Sequence, residues 1–273
     1  MIHGYGGNAN LAEQWSESQS TRALNHYRIV PTRVNPRSYK DPREVPRYSV
    51  AEVALYLHLK SRTVHNWFFG RSYHTKEGKA FWNPVVVPSA HDPHGFSLSF
   101  FNLAEAHVLA STRNDFNISM KSIRFAMDEL VRKYPNTSAH PLLSKDFETD
   151  GCDMFIRELA TQGEEVILNL NKPNQCGLKA MMESYLKRIA RDDHYLPTKV
   201  FPVSGNNLED RTIVISQGIA AGRPTIAGTG IRAAVVWNRF KAGETEAELA
   251  DDYGIDEQEI KTAISYFTAL RAA

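Results

Sequence analysis

Three polar side chains between positions 62 and 66 have the types and spacing needed to read nucleic-acid bases. Arg62, Thr63 and Asn66 follow the start of a candidate helix and lie on its solvent side. Arginine pairs with guanine, asparagine pairs with adenine, and threonine hydrogen-bonds to several base edges. On the first turns of a helix, these residues predict contacts with base edges in the major groove of DNA.

Cations lie close to these three residues in the sequence. Arg71, Lys76 and Lys79 follow the candidate helix and are predicted to contact phosphates. Residues 1–80 hold 12 Lys and Arg against 6 Asp and Glu, whereas the whole chain has a net charge of +1. This local excess of positive charge favours a polyanionic partner, and the alternative is a solvated basic arm.

The positioning elements are two short helices that predict a helix-turn-helix. Ser49 and Glu52 form a capping-box pattern, and the first helix is expected to end near His58. Ser61 is the expected cap of the second helix, which Gly70 should end. The alternative is a purely structural helical hairpin.

Apolar, β-prone segments follow the helix pair. Strands are predicted at 80–87 and 96–101, with a turn at 88–95, as in the wing of a winged helix. Further predictions are helices at 103–113, 120–134 and 178–191, a strand pair at 147–170 around Gly163, and a linker at 197–207.

The last 69 residues predict a small three-helix module preceded by short strands at 211–216 and 223–227. Helices are expected at 233–241, 246–253 and 257–270. Thr245 with Glu248 and Asp256 with Glu259 form the capping boxes of the last two. The final helix exposes Glu257, Gln258, Glu259 and Lys261. Carboxylates repel phosphates, so this second helix pair is predicted to bind protein or to dimerise.

The predicted fold is mainly α with short β-hairpins. It comprises an arm or linker at 1–47, a winged-helix DNA-binding region with a helical and β extension at 48–200, and the C-terminal module at 205–273. A chain of 273 residues with 42% hydrophobic and 23% charged residues has ordinary globular composition. We found no apolar run typical of a membrane span or secretory signal, and therefore expect a cytoplasmic protein without a membrane partner.

Catalytic and cofactor motifs are weak in this sequence. Gly228, Gly230 and Ala233 match a dinucleotide-binding pattern, but the 40 residues that follow read as helices, which leaves no second strand. His91, Asp92 and His94 are more typical of a turn than of a metal site. Without a nucleophile, base and metal cluster, we expect no enzyme activity, no cofactor and no metal.

Two segments carry a resemblance to known families. Residues 48–67, YSVAEVALYLHLKSRTVHNW, resemble the first helix pair of MerR-like winged helices. Residues 222–232, GRPTIAGTGIR, and 243–253, GETEAELADDY, resemble a module of VapB-type antitoxins that are paired with PIN-like ribonuclease toxins. Ala221 and Gly230 depart from that pattern at a Gly and an Arg. Segments 102–107, NLAEAH, and 150–155, DGCDMF, are similar to the longer antitoxins of this class.

The resemblance implies a type II antitoxin that binds a cognate PIN-like ribonuclease toxin and represses its own operon. Arg223 and Arg232 are the expected toxin-binding residues, because an arginine fork can replace metal on the carboxylates of such a nuclease. Alternatively, both arginines pair with acidic residues of their own module. A single reading helix contacts few base pairs, so a homodimer or higher oligomer on operator DNA is expected. The alternative function is a stand-alone transcription regulator whose C-terminal module dimerises or binds a ligand.

Overall fold

A computed structural model of the chain describes residues 41–272 except 77, 87, 89–97, 115–117, 136–138, 162–171 and 204–206. The described chain is mainly helical. Its first half contains α1 (Val50–Tyr56), α2 (Ser61–Phe69), β1 (Arg71–Thr75), β2 (Gly78–Trp82), α3 (Phe100–Asn114) and α4 (Met120–Lys133). Its middle contains α5 (Cys152–Thr161), α6 (Lys172–Leu186), β3 (Ile189–Arg191) and β4 (Pro197–Val200). The remainder contains β5 (Ile213–Ser216), β6 (Thr225–Ile226), α7 (Ala233–Lys241), α8 (Glu246–Tyr253) and α9 (Glu257–Ala272).

Helices α1 and α2 form the predicted helix-turn-helix. At the start of α1, the Glu52 amide donates to the Ser49 hydroxyl and the Ser49 amide donates to the Glu52 carboxylate, which confirms the capping box. The prediction that Ser61 caps α2 is wrong. Ser61 is the first helical residue, and Lys60 before it provides no side-chain cap. Gly70 ends α2 with a φ of 71°, as predicted.

The β-hairpin after α2 lies further upstream than predicted. Strands β1 and β2 pair antiparallel at 71–82, so the expected strand at 80–87 covers only the end of β2. The expected strand at 96–101 is wrong over its described part, because α3 begins at Phe100. Val85, Val86 and Phe100 are buried in the core although none of them lies in a strand. Burial in the core accounts for the apolar residues in these two segments, which the sequence pattern alone predicts as strands. Residues 89–95 of the predicted turn at 88–95, which include His91, Asp92 and His94, lie outside the described residues.

The predicted strand pair at 147–170 is also wrong over its described part. Residues Phe147–Gly151 form a π-helical turn that leads into α5. Cys152, Phe155, Ile156 and Leu159 are buried, and their spacing of i, i+3, i+4 and i+7 is that of one helical face. The helices predicted at 103–113 and 120–134 are confirmed as α3 and α4. Gly163 lies outside the described residues.

A four-stranded antiparallel sheet in the order β3-β4-β5-β6 spans most of residues 189–226. The predicted linker at 197–207 therefore begins as strand β4, and the helix predicted to reach 191 ends at Leu186. Buried Arg188 binds the segment after β4, because its guanidinium donates to the carbonyls of Phe201, Pro202, Leu208 and Asp210. Four acceptors on one planar cation fix the path of backbone that has no regular partner strand.

Two groups of buried side chains hold these elements together. The larger joins the helix-turn-helix, α3 to α6 and strands β3 to β5. The smaller lies under α7, α8 and α9, which match the predicted helices closely. The capping box of Thr245 and Glu248 is present, and Gly254 ends α8 in the left-handed conformation. At α9, the Asp256 amide donates to Glu259, whereas the Asp256 carboxylate accepts from Gln258.

Candidate nucleic-acid interface

Helix α2 separates a buried face from a polar face. Val64, Trp67 and Phe68 are completely buried, and the Trp67 indole donates to the Met120 sulfur at 3.2 Å. This packing fixes the rotation of α2. It leaves Arg62 exposed and Thr63 and Asn66 partly exposed, together with exposed His65.

The structure thus places Arg62, Thr63 and Asn66 on the accessible side of α2. No side chain of these three residues makes a hydrogen bond to the described parts of the chain. Their donors and acceptors are consequently available to a ligand without first breaking an internal contact. An accessible polar helix face on a packed scaffold is the arrangement that base reading requires.

The hairpin is attached to the end of α2 through a tight contact. A Cβ atom built at Gly70 would lie 2.2 Å from the Trp82 carbonyl oxygen, which only glycine avoids. On one hairpin face, Tyr73 stacks on Trp82 with ring centroids 5.1 Å apart, and Arg124 of α4 lies 5.3 Å from the Trp82 ring. Arg124 also donates to the Asn83 carbonyl at 2.6 Å. These contacts hold the hairpin beside α2.

The surface made by α2 and the hairpin is cationic. Residues 60–83 include five Lys and Arg, and Glu77 is the single carboxylate in that stretch of sequence. Arg71, Lys76 and Lys79 are exposed on the hairpin. We call α2 and the hairpin, residues 61–82, the basic face. Its charge suits a polyanion.

The C-terminal module contacts the helix-turn-helix through residues 222 and 223. The Tyr48 hydroxyl donates to the Gly222 carbonyl at 3.1 Å, and the φ of Gly222 is 80°. A side chain at Gly222 would collide with that hydroxyl. Arg223 lies 3.5 Å from the Glu52 carboxylate, which also caps α1.

The two predicted toxin-binding arginines therefore differ in whether their side chains are already paired. Arg223 pairs with Glu52 of the helix-turn-helix, and no acidic residue of its own module is its partner among the described residues. Arg232 precedes α7, is exposed, and makes no side-chain hydrogen bond or ion pair with the described residues.

A second contact joins α9 to the turn of the helix-turn-helix. The Tyr266 hydroxyl donates to the Tyr56 carbonyl at 2.6 Å, and the Tyr266 ring meets His58 edge to face with centroids 5.0 Å apart. Burial lowers the pKa of His58 to about 4, so the imidazole is neutral near pH 7. The same burial raises the pKa of Tyr266 well above its ordinary value.

The segment 102–107 is buried rather than presented to a partner. His140 lies between two carboxylates, 2.9 Å from Glu105 and 3.1 Å from Glu44. Burial by itself would lower the pKa of His140, but these carboxylates raise it to about 10. Burial lowers the pKa of His107 to about 3, and its ring lies 3.1 Å from the Tyr185 carbonyl. These groups hold α3 in the core.

The glycines of the dinucleotide-like pattern have a structural role in a turn. Gly228 and Gly230 have positive φ angles in the turn between β6 and α7. Within the described residues, no cluster of three or more His, Cys, Asp or Glu side chains is arranged to bind a metal ion. None of the described helices combines the length and apolar composition needed to cross a lipid bilayer.

Sequence reasoning missed Phe81 and the tyrosine contacts. Phe81 is the most exposed large hydrophobic side chain of the described chain, with 54% of its surface accessible. An aromatic residue in a β-prone segment is normally buried in the core, so the sequence around Phe81 does not predict that its side chain is exposed. The Tyr266 to Tyr56 contact joins positions 210 residues apart, and no local pattern reports it.

Comparison with known proteins matches two segments to family models. Residues 46–127 match a family described as "Putative DNA-binding HTH domain", and residues 213–267 match "Protein of unknown function (DUF433)". The first match contains α1, α2, the hairpin and α3. The second contains β5 to α8 and most of α9.

One relative aligns along nearly its whole length. "Putative antitoxin VapB45" of Mycobacterium tuberculosis is 29% identical over 236 residues, which cover 83% of this chain and 95% of the relative. The chain resembles an antitoxin with a helix-turn-helix. A crystal structure of Rv2018 from Mycobacterium tuberculosis shares the fold, with a TM-score of 0.59 and 24% identity over 81% of this chain and 98% of that one.

Proposed function

We propose that the protein is the antitoxin of a type II toxin–antitoxin system. The observation that carries this proposal is the alignment with the VapB45 antitoxin over 83% of this chain, to which the family matches over the helix-turn-helix and the C-terminal module add. The predicted partner is a PIN-like ribonuclease, which the protein neutralises by direct binding. The protein has a regulatory role without catalysis.

The same protein represses its own operon by binding DNA with the basic face. Arg62, Thr63 and Asn66 read base edges from α2, while Arg71, Lys76 and Lys79 bind phosphates from the hairpin, which serves as the wing. This assignment is supported by the accessible polar side of α2 and by the excess of positive charge over residues 60–83. Two copies bind adjacent half-sites, since one α2 reads only a few base pairs.

Arg232 is the residue best placed to meet toxin carboxylates. A PIN-like nuclease gathers carboxylates around divalent metal, and an exposed guanidinium can bind them bidentately. Arg232 has no side-chain partner among the described residues, whereas Arg223 would first have to leave Glu52. We therefore assign Arg232 the principal contact and Arg223 a secondary one.

Co-expression tests the antitoxin assignment. We expect the adjacent reading frame to encode a ribonuclease that arrests growth when expressed alone. The full-length protein should restore growth and co-purify with that nuclease. A catalytically inactive nuclease controls for the burden of expression. Growth arrest that persists despite abundant, folded antitoxin would reject neutralisation and favour the alternative of a stand-alone regulator.

A further inference from the structure

Phe81 exposes an aromatic ring within a strongly charged surface. More than half of its side chain is accessible, and the other exposed large hydrophobic side chains among the described residues do not exceed 38%. Transfer of such a ring to an apolar environment is favourable. An exposed phenylalanine on an ordered strand therefore indicates a surface that a partner covers.

The two faces of the hairpin differ in their surroundings. Tyr73 and Trp82 lie on the face that packs against Arg124. Phe81 lies on the opposite face, directly across from Ser72, and the next pair along the hairpin is His74 with Lys79. The free face thus combines one aromatic ring with Ser72, His74 and the cation Lys79, and all four residues are exposed.

Phe81 is held at the end of the proposed reading helix. A Cβ atom at Gly70 would lie 2.6 Å from Phe81 Cζ, so the ring tip rests on the backbone where α2 ends. The stacked pair and Arg124 restrain the hairpin from its other side. The ring consequently needs little reorganisation before it meets a ligand.

The charge around Phe81 identifies the occupant. A second copy of this surface would bring Lys76 and Lys79 close to the same two cations, which is unfavourable. Duplex DNA offers phosphates for the cations, together with the apolar surfaces of deoxyribose and base steps for the ring. We propose that Phe81 is an apolar wedge that packs against a base step in the groove beside the one that α2 reads. This inference rests on the proposed DNA binding.

The test uses the full-length protein and duplexes tiled across the DNA upstream of its coding region, with 2-aminopurine placed at successive steps. We expect wild-type binding to increase the 2-aminopurine fluorescence at a step flanking the half-site, because the base unstacks. Phe81→Ala should abolish this signal and lower affinity by about tenfold or more, whereas Phe81→Trp should retain both. Phe240→Ala removes another exposed phenylalanine, on α7, and should change neither.

Salt dependence separates the wedge from phosphate contacts. Phe81→Ala should leave the slope of log affinity against log salt unchanged, whereas Lys79→Ala should reduce it by about one. Equal affinity and equal fluorescence for Phe81→Ala and wild type would overturn the wedge while leaving DNA binding intact. A Phe81→Ala protein that weakens binding only by becoming monomeric in light scattering would also overturn it, and would make Phe81 a contact between copies. Failure of the wild type to bind any upstream duplex would reject both the wedge and the proposed DNA binding.

Discussion

The hydroxyl of Tyr266 donates a buried hydrogen bond of 2.6 Å to the carbonyl oxygen of Tyr56. The donor belongs to α9 and the acceptor ends α1 of the helix-turn-helix. This contact, together with the Tyr48 to Gly222 bond and the Arg223 to Glu52 pair, holds the C-terminal module against α1 and the residues that precede it. The C-terminal module is therefore packed directly against the helix pair that contains α2.

Removal of the Tyr266 hydroxyl should weaken that link. Tyr266→Phe leaves the Tyr56 carbonyl without its buried donor, so we expect a loss of about 1–2 kcal/mol in the free energy of unfolding. Urea denaturation followed by circular dichroism measures the change. Tyr73→Phe removes a hydroxyl from a stacked, partly exposed ring and should cost much less. Equal losses of unfolding free energy for the two substitutions would show that the Tyr266 hydrogen bond does not stabilise the protein more than an exposed hydroxyl does.

Substitution of Gly70 should displace the hairpin. Gly70→Ala places a methyl group against the Trp82 carbonyl and also strains a positive φ. Gly228→Ala has a similar φ, of 80°, but open space around the new methyl group, so it reports the strain alone. We expect Gly70→Ala to destabilise the protein by about 1–3 kcal/mol more than Gly228→Ala and to change the near-ultraviolet signal of Trp82. Indistinguishable unfolding curves for the two variants would contradict the close contact.

The stability of the protein should fall in mild acid. The pKa of partly buried His58 is about 4 in the folded chain and about 6.5 when unfolded, so unfolding becomes more favourable as pH falls from 6.5 towards 4. His58→Asn removes this proton uptake and suits the positive φ of the position. The variant should show a shallower loss of stability over that pH range, with the contribution of His107 remaining. His194→Asn, an exposed control, should follow the wild type. If the unfolding free energy of His58→Asn changes with pH as that of the wild type does, proton uptake by His58 does not cause the loss of stability.

Toxin binding should depend more on Arg232 than on Arg223. Arg232→Ala removes the exposed guanidinium, and we expect at least about a tenfold rise in the Kd for the neighbouring nuclease. Arg223→Ala should have a smaller effect, since its side chain is already paired with Glu52. Lys241→Ala controls for loss of one exposed cation on the same module. Isothermal titration calorimetry against the inactive nuclease measures all four proteins. An Arg232→Ala variant as tight as wild type would remove this residue from the interface.

The elements with strong local signals were predictable from the sequence. Capping boxes and helical periodicity located α1, α4 and α7 to α9, because these signals depend on neighbouring residues. The hairpin position was not predictable, since Val85 and Val86 look like strand residues but are buried outside a strand. At α5, a helical spacing of apolar residues was present and was misinterpreted as a strand pair.

The candidate site was predictable only in its local part. The polar residues of α2 lie on the expected side of the helix, because their periodicity is set within two turns. Pairing of Arg223 with Glu52 depends on positions 171 residues apart, and the exposure of Phe81 depends on which hairpin face packs against α4. Tertiary contacts of this kind leave no trace in local spacing.

The central claim is that α2 reads DNA bases, and the most direct test compares the affinities of the wild type and of Arg62→Ala for two DNA duplexes. Fluorescence anisotropy should show that the wild type binds an upstream duplex more tightly than a scrambled duplex of the same length. Arg62→Ala should lose about 1–3 kcal/mol of binding free energy on the upstream duplex and little on the scrambled one, because a base contact contributes to specificity. Arg157→Ala, an exposed arginine on α5, should behave as wild type on both duplexes. Equal affinity of the wild type for the two duplexes, or an Arg62→Ala protein that still discriminates fully between them, would contradict base reading by α2.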